Sequence, residues 1–367
     1  MSSESVSMSR RWVWAPITAL LLFAPIPPEI LTGSTSFELF RRFDPYVAEM
    51  LTYGCAALLA RAVVRHKRLG WGALLTLAVA YAVAQEFLID RTALLPIVGR
   101  PLDAPVYGGH ALGVNWLWTV WAVGAEAVGP IIIATLLIEV LFPRLRTDPW
   151  IGRNGAIITT LALLYAGRGA WRIWKSVEPV IYGRFVADPA WWLVLAGGLI
   201  VAVLVVSVLV RRPRQAIIVH RVDRPAPGWW LVGVTMAMLS TGWYTLELFI
   251  YRDSFQRLPA FVPYIAAGLI ALLAVTSLRR WSAGRGWDDR HRLAVAGGTL
   301  IGCLRLTDRE STLSYTPFEF VVAAGIAVVI AWAAIRNRQA LHSDTDDTPA
   351  GWRISPIQSS VFDRELG

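Results

Sequence analysis

Long apolar runs alternate with short polar segments along almost the whole chain. A helix needs about 20 apolar residues to cross the hydrocarbon core of a bilayer. The pattern predicts ten such spans, at residues 12–31, 46–64, 71–90, 113–142, 153–174, 191–211, 228–250, 260–278, 293–306 and 318–336. The ninth is short and glycine-rich, so it is either a half-helix or begins earlier, in "DDRHR". We therefore expect an all-α, polytopic transmembrane helix bundle.

The ends of the chain are more polar than the part between them. Residues 1–11 are interpreted as a cytoplasmic N-terminal segment, 12–336 as the transmembrane domain and 337–367 as a tail. The start, with Arg10 and Arg11 before an apolar run, is similar to a signal peptide, but with so many later spans we expect a retained first helix. The tail is polar and lacks a helical period, which predicts disorder.

The distribution of basic residues predicts the orientation. If the N-terminus is cytoplasmic, 23 of the 35 Lys and Arg residues fall on the cytoplasmic side. Basic residues accumulate in cytoplasmic loops. We therefore expect both termini inside the cell and a multi-pass location in the plasma membrane.

Two parts of the chain are similar to each other. Span three ends in "EFLIDR" (86–91) and span seven in "ELFIYR" (247–252), and Gly-Trp precedes each of these spans. "DPY" (44–46) opens span two and "DPAW" (188–191) opens span six. The similar segments lie four spans apart, which suggests a parallel tandem repeat of the kind found in transporters, although chance similarity between apolar sequences is the alternative.

The composition supports a membrane protein and favours lipid headgroups over nucleic acid as its partners. The chain is 55% hydrophobic and 17% charged, with a net charge of +9. Because the basic residues lie between apolar runs, they are expected to meet lipid headgroups, and we expect no nucleic-acid partner. Cys55 and Cys303 lie in apolar runs without a CxxC neighbour. The sequence predicts no metal site and no cofactor.

Ionisable residues inside the spans are the candidates for function. A charge at mid-bilayer costs roughly 2.5–3.5 kcal/mol, so such residues pair, face water or take part in an activity. The substrate- or ion-binding candidates are Glu29, Glu86, Asp90, Arg91, Glu126, Arg168, Arg172, Glu247, Arg252 and Arg305.

Two pairs among these candidates have helical i,i+4 spacing. Glu86 and Asp90 would share a helix face and bind a proton, an ion or a substrate, with Arg91 as a nearby cation. The alternative is that Asp90 and Arg91 lie among headgroups while Glu86 pairs with an arginine of span five. Arg168 and Arg172 would point the same way and suit a phosphate or a carboxylate.

Proline interrupts two spans beside a glutamate. Pro25, Pro27 and Pro28 precede Glu29, and Gly129-Pro130 follows Glu126. Irregular backbone at membrane depth is tolerated against protein or a wet cavity. These breaks favour a polar cavity that opens outward, with ordinary proline kinks as the alternative.

"QEFLIDR" (85–91) resembles the EExxxR motif of the CPBP family of intramembrane metalloproteases. Gln85 stands in place of the first glutamate, and Arg91 lies one position later than in the motif. That family also uses histidines of neighbouring helices as metal ligands. Here His66, His110, His220, His291 and His342 are expected in loops or in the tail.

The leading hypothesis is a transporter or a lipid- or anion-handling permease, with membrane lipids and an anionic small molecule or headgroup as partners. The alternatives are a membrane enzyme acting on a lipid-linked phosphate, a CPBP-like protease and a non-catalytic scaffold. The sequence identifies no catalytic residue and favours a protein that is not an enzyme.

Overall fold

The chain folds mainly as helices, and the structure, a computed structural model, describes residues 3–33, 44–97, 110–212, 222–304, 321–333 and 335. The first four predicted spans are each interrupted by a π-helical turn. Span one is α1 (Ser3–Phe23) followed by π1 (Ile26–Ile30). Span two is α2 (Asp44–Glu49), π2 (Met50–Gly54) and α3 (Cys55–His66); span three is α4 (Trp71–Ala84) and π3 (Gln85–Ile89). Span four is α5 (Trp116–Ala127), π4 (Val128–Ile133) and α6 (Ala134–Leu141).

The later helices are less interrupted. They are α7 (Arg153–Tyr182), α8 (Trp191–Leu209), α9 (Trp229–Thr245), α10 (Leu248–Tyr251), α11 (Val262–Ser282), α12 (Asp289–Cys303) and α13 (Val321–Ala333). Short 3-10 turns occur at Thr92–Leu94, Pro143–Leu145 and Phe255–Arg257. Two small sheets pair β1 (His110–Ala111) with β2 (Val114–Asn115), antiparallel, and β3 (Val222–Pro225) with β4 (Gly284–Arg285), parallel.

Six segments of the described chain are long and apolar enough to cross a membrane. They are Val13–Ile30, Pro45–His66, Trp71–Ile89, Trp116–Leu141, Trp191–Leu209 and Val262–Ser282. The prediction of a membrane helix bundle is therefore supported, while the count of ten spans remains a prediction. The helices α9 and α12 are shorter, with 17 and 15 residues. Helix α7 carries several basic residues, and α13 is a short apolar helix.

Span nine begins where the alternative reading of the sequence placed it. The Asp288 side chain accepts hydrogen bonds from the amides of Arg290 and His291, and the His291 ring accepts one from the Asp288 amide. This capping box starts α12 at Asp289. His291 and His66 consequently lie in helices rather than in loops, because α12 starts early and α3 extends to residue 66. His220 and His342 lie outside the described residues.

The segment from α5 to α6 lies at the centre of the bundle. Ile131, Ala134 and Ile138 pack with α1, α3 and α4, whereas Leu137 and Val140 pack with α9, α12 and α13. Of the spanning windows, this one is 72% buried, against 17% for α8 and 11% for α11. The central helix is therefore surrounded by protein, and α8 and α11 present their apolar side chains outward, as lipid-facing helices do.

Candidate functional site

The hydroxyl group of Tyr53 lies between two carboxyl groups from different helices. Tyr53, in π2, is 2% exposed, and its hydroxyl oxygen lies 3.0 Å from Glu29 Oε1 and 3.2 Å from Glu126 Oε1. Glu29 belongs to π1 and Glu126 to α5. Three predicted spans thus meet at one phenol.

Two further carboxyl groups lie close to this triad. Glu49 is in electrostatic reach of Glu29 and Asp90, and Glu126 is in reach of Glu29 and Asp90 as well. We call Glu29, Glu49, Asp90 and Glu126 the carboxylate cluster. All four side chains are half-buried. The cluster is therefore bounded by protein without being sealed from its surroundings.

A second tyrosine connects to the cluster through Gln85. The Tyr81 hydroxyl donates to Gln85 Oε1 at 2.9 Å, and Gln85 Nε2 donates to Asp90 Oδ2 at 2.6 Å. The rings of Tyr53 and Tyr81 meet edge to face, with centroids 5.9 Å apart. The hydrogen-bonded group at Tyr53 and the one at Tyr81 therefore pack against each other through the two buried aromatic rings.

Glu86 lies beside the cluster in a site of its own. It is 4% exposed, and its Oε2 accepts hydrogen bonds from the Thr92 hydroxyl at 2.6 Å and from Trp118 Nε1 at 3.0 Å. The Ala93 amide is a third donor. One interpretation of the sequence paired Glu86 with an arginine of span five. In the structure Glu86 is bound by these neutral donors instead.

The π-helical turns lie at the carboxyl groups of the first four spans. Glu29 is inside π1, Glu49 directly precedes π2, Glu86 is inside π3 with Asp90 directly after it, and Glu126 lies two residues before π4. In π1 the Leu31 amide bonds to the Ile26 carbonyl, five residues back. Pro27 and Pro28 have no amide hydrogen and so cannot continue the regular hydrogen-bond pattern of α1. The proline stretch is thus irregular as predicted, with a π-helical turn rather than an extended backbone. Such turns are frequent at functional sites.

The turn at π3 changes the geometry that the i,i+4 spacing implied. The Asp90 amide bonds to the Gln85 carbonyl at 2.9 Å, five residues back. The wider turn brings the side chains of Gln85 and Asp90 together. Asp90 joins the cluster, while Glu86, still in electrostatic reach of it, is held by Thr92 and Trp118.

The predicted cations do not lie in the cluster. Arg91 has a left-handed backbone (φ 60°), and its guanidinium stacks on the Trp171 ring, 3.9 Å from the centroid. Burial lowers the pKa of Arg91 from its ordinary value; Asp188 opposes this shift and Arg168 adds to it. Arg168 and Arg172 are exposed on α7 and form no ion pair with a described residue. The structure therefore brings the carboxyl groups together without the arginine pair.

The remaining candidates belong to segments of the chain that do not contribute to the carboxylate cluster. Glu247, which is 5% exposed, lies in the interruption between α9 and α10, and Arg252 follows α10 and is half-buried. The neighbouring Phe249 and Ile250 pack on Leu117 of α5. Arg305 lies outside the described residues.

A buried ion pair network at the other end of the bundle is absent from the sequence-based candidates. Glu139 in α6 accepts from Arg61 Nε and from Arg65 Nε, both at 2.9 Å. Arg61 is 1% exposed, stacks on Trp150 and donates to three carbonyls of the segment after α6. Arg61, Arg65 and Glu139 lie near the ends of predicted spans, where the sequence suggests orientation signals rather than a buried network.

Proton counting constrains the cluster. A phenol has one hydrogen and an ionised carboxylate has none. The Tyr53 hydroxyl lies at hydrogen-bonding distance from both Glu29 and Glu126, so its one hydrogen goes to one of them or is shared, and a protonated carboxyl group on the second side would donate to the phenol oxygen. Glu126 Oε2 is buried and has no hydrogen-bond partner among the described residues. The arrangement suits carboxyl groups that hold protons within a protein environment.

Comparison with known proteins identifies no relative: no family model, no curated protein and no solved structure matches the chain. Within the part of the chain that the structure describes, no three His, Cys, Asp or Glu side chains are grouped so that they could hold a metal ion.

Proposed function

We propose that this chain is a membrane transport protein that carries protons at the carboxylate cluster. The observation that supports the proposal most is the position of the Tyr53 hydroxyl between Glu29 and Glu126. A phenol between two carboxyl groups passes a hydrogen from one to the other by reversing its donor and acceptor roles. Intramembrane carboxyl groups commonly form such proton relays in pumps and transporters.

The sign of charge in the cluster favours a proton or a cation over an anion. Its four acidic groups come from four predicted spans, and Glu49, Asp90 and Glu126 form no ion pair with a described residue. Several anions in a low-dielectric site bind protons or cations to lower their mutual repulsion. Arg168 and Arg172, the basis of the anion-binding hypothesis, are exposed on α7. The carboxylate cluster therefore favours a proton over an anion as the transported species.

The four carboxyl groups lie in one half of the bundle, which decides the side of the membrane from which protons would reach them. Glu126 is ten residues past the start of α5, about 15 Å at helical rise. Glu29 and Asp90 lie near the ends of their spans, and Glu49 near the start of its span, so all four belong to the same half of the bundle. Half-buried carboxyl groups in that half exchange protons with the solution there.

We also propose ten spans with both termini inside, in the plasma membrane and surrounded by its lipids. The charge asymmetry of the loops supports this orientation. The tandem repeat is supported by the position of Glu86 and Glu247, each buried where the regular helix is interrupted.

Proton flux into vesicles tests the proposal. Purified protein is reconstituted into liposomes that contain a pH-sensitive dye, and a potassium gradient with valinomycin imposes a membrane potential. We expect wild-type vesicles to acidify faster than protein-free vesicles, and Glu126→Gln to return the rate to the protein-free value. Asp148→Asn, an exposed carboxylate outside the cluster, is the matched control and should behave as wild type. Equal rates in wild-type, Glu126→Gln and protein-free vesicles would refute proton transport.

A further inference from the structure

A cavity of about 200 Å³ lies at the end of the bundle opposite the carboxylate cluster. Its polar wall consists of Arg65, Arg146, Arg292, Glu139 and Thr147, and its apolar wall includes Trp71. Between Glu126 and Glu139 the central helix covers about 20 Å at helical rise, so the two sites are separate. The cavity is thus a second charged site, independent of the proton-carrying groups.

The cavity has more cations than carboxylates to neutralise them. Glu139 binds Arg61 and Arg65, and Asp289 binds Arg146 Nη2 at 2.6 Å and Arg292 Nη1 at 2.9 Å. Four guanidinium groups thus share two carboxylates, with Asp148 in electrostatic reach of Arg61 as a third, which leaves one positive charge uncompensated within this network.

The three arginines that line the cavity also have donors to spare. Arg61 uses its donors on Glu139 and on backbone carbonyls. Arg65, by contrast, uses only Nε and Nη2, Arg146 only Nη2 and Arg292 only Nη1 on described partners. The Arg146 Nε hydrogen is buried and has no acceptor among the described residues. A buried guanidinium donor without an acceptor costs free energy, which an anion in the cavity would recover.

We propose that this cavity binds a phosphate group. Planar guanidinium forks that converge from three elements match the oxygens of a phosphate, and the hydroxyl of Thr147 adds a neutral donor. When no phosphate is bound, Asp289 pairs with Arg146 and Arg292. A phosphate that enters the cavity displaces Asp289 in part from these two guanidinium groups.

The phosphate belongs either to a lipid headgroup or to a free solute. Trp71 is 39% exposed and begins a membrane-spanning segment, which is where aromatic residues meet headgroups. Leu136 and Val140 provide apolar surface beside the arginines. Both sources present the same chemistry to the arginines, and an experiment with two ligands separates them.

The test is the rise in unfolding temperature of the purified full-length protein in detergent. One series adds inorganic phosphate, with chloride at equal ionic strength as its control. The other adds short-chain phosphatidylglycerol, with diacylglycerol of the same chain length, which lacks the phosphate group, as its control. Both series are run on wild type, Arg292→Gln, Arg146→Gln, Asp289→Asn and Arg280→Gln. Arg280 is exposed at the end of α11 and does not line the cavity, so its variant controls for the loss of one positive charge.

We expect Arg292→Gln and Arg146→Gln to need roughly tenfold more ligand for the same shift, as the loss of one charge-assisted hydrogen bond implies. Asp289→Asn should need less ligand than wild type, because it frees two guanidinium groups; a purely structural role for Asp289 would not increase the ligand response. Arg280→Gln should respond as wild type. A response to inorganic phosphate alone assigns a free phosphate, a response to phosphatidylglycerol alone assigns a lipid headgroup, and a response to both assigns a phosphate site that accepts either.

Two results would overturn this inference. One is a wild-type protein that neither ligand stabilises beyond its control. The other is an Arg292→Gln variant that folds and responds to the ligands as wild type does. Because proton flux is not measured in this experiment, its failure leaves the proposed transport function untouched.

Discussion

Tyr53 combines a buried ring with a hydroxyl that serves two acidic groups. The ring packs against Tyr81, and the hydroxyl reaches Glu29 and Glu126. A phenylalanine at this position would keep the packing and lose only the hydrogen bonds. The residue therefore offers a direct way to separate the polar role of the cluster from its contribution to the core.

Tyr53→Phe should destabilise the protein by about 1–3 kcal/mol at neutral pH, the cost of leaving buried polar groups without their partner. The loss should shrink as the pH falls, because the phenol then donates to a neutral carboxyl group instead of an ionised one, and a hydrogen bond to a charged acceptor is the stronger of the two. Unfolding free energies measured at neutral and acidic pH check this. Tyr165→Phe, on an 80% exposed tyrosine, is the control. A loss that is the same at both pH values would speak against the shared proton.

Glu139→Gln should destabilise the protein by roughly 3–5 kcal/mol, because it leaves the buried Arg61 without its counter-charge. Asp188→Asn removes a carboxylate that is 70% exposed and lies outside the Arg61 network, and it should cost less than about 1 kcal/mol. Unfolding free energies of the two variants provide the comparison. Similar stabilities for both would show that the Arg61–Glu139 pair is not a stabilising contact.

The sequence predicted part of the site from the cost of burying charge. It selected Glu29, Asp90 and Glu126, which the structure brings together, but its candidates left out Tyr53 and Glu49. A buried tyrosine is a common core residue, and only its three-dimensional neighbours reveal that its hydroxyl meets two carboxyl groups. Arg168 and Arg172 were selected by spacing, and spacing alone does not tell which side of α7 faces the protein.

Helix packing in this protein depends on close backbone contact at glycines. A Cβ atom on Gly298 of α12 would collide with the Gly233 carbonyl of α9, and one on Gly302 would collide with Ser240. Small residues let membrane helices approach closely and gain van der Waals contact. The pair α9 and α12 is therefore fixed by backbone shape, although both helices are short.

Gly298→Ala should separate α9 from α12 and cost about 1–3 kcal/mol, as overpacking does elsewhere. The matched control is Gly268→Ala in α11, where an added Cβ has nothing within 4 Å. The control should be neutral or should stabilise by up to about 1 kcal/mol, since alanine favours a helix more than glycine does. Thermal unfolding of both variants decides the matter; a control that is as destabilised as Gly298→Ala would argue against this packing.

The apolar pattern predicted where helices occur but not the π-helical turns that interrupt them. The helices α4, α8 and α11 begin within two residues of the predicted spans. The π-helical turns were visible only where proline marks them, at Pro27, Pro28 and Pro130. At π3 no proline is present, and the turn depends on how Gln85 and Asp90 meet their neighbours.

The polar segments of the whole molecule should alternate between the two sides of the membrane. Arg146, after α6, pairs with Asp289 at the start of α12, which places these two segments at the same end of the bundle. The segment between α10 and α11 belongs to the other end in the ten-span topology. The charge distribution of the polar segments assigns the two ends of the bundle to the two sides of the membrane.

Cysteine labelling in intact cells tests this topology. Cys55 and Cys303 are buried, so single cysteines introduced at exposed positions report on access. A membrane-impermeant thiol reagent should label Ser254→Cys in intact cells, and should label Thr147→Cys and Ser282→Cys only after the cells are opened. Labelling of Thr147→Cys and Ser254→Cys from the same side would contradict the predicted topology.

The most direct test of the shared proton is infrared spectroscopy of the protonated carboxyl groups. At neutral pH the wild-type protein should have a carboxylic acid carbonyl band that shifts in D₂O, and the band should persist in Asp148→Asn. Glu126→Gln should weaken or shift this band, and Tyr53→Phe should shift it, because the hydrogen bond to the phenol is gone. The account is contradicted if wild type has no such band, or if Glu126→Gln retains it unchanged.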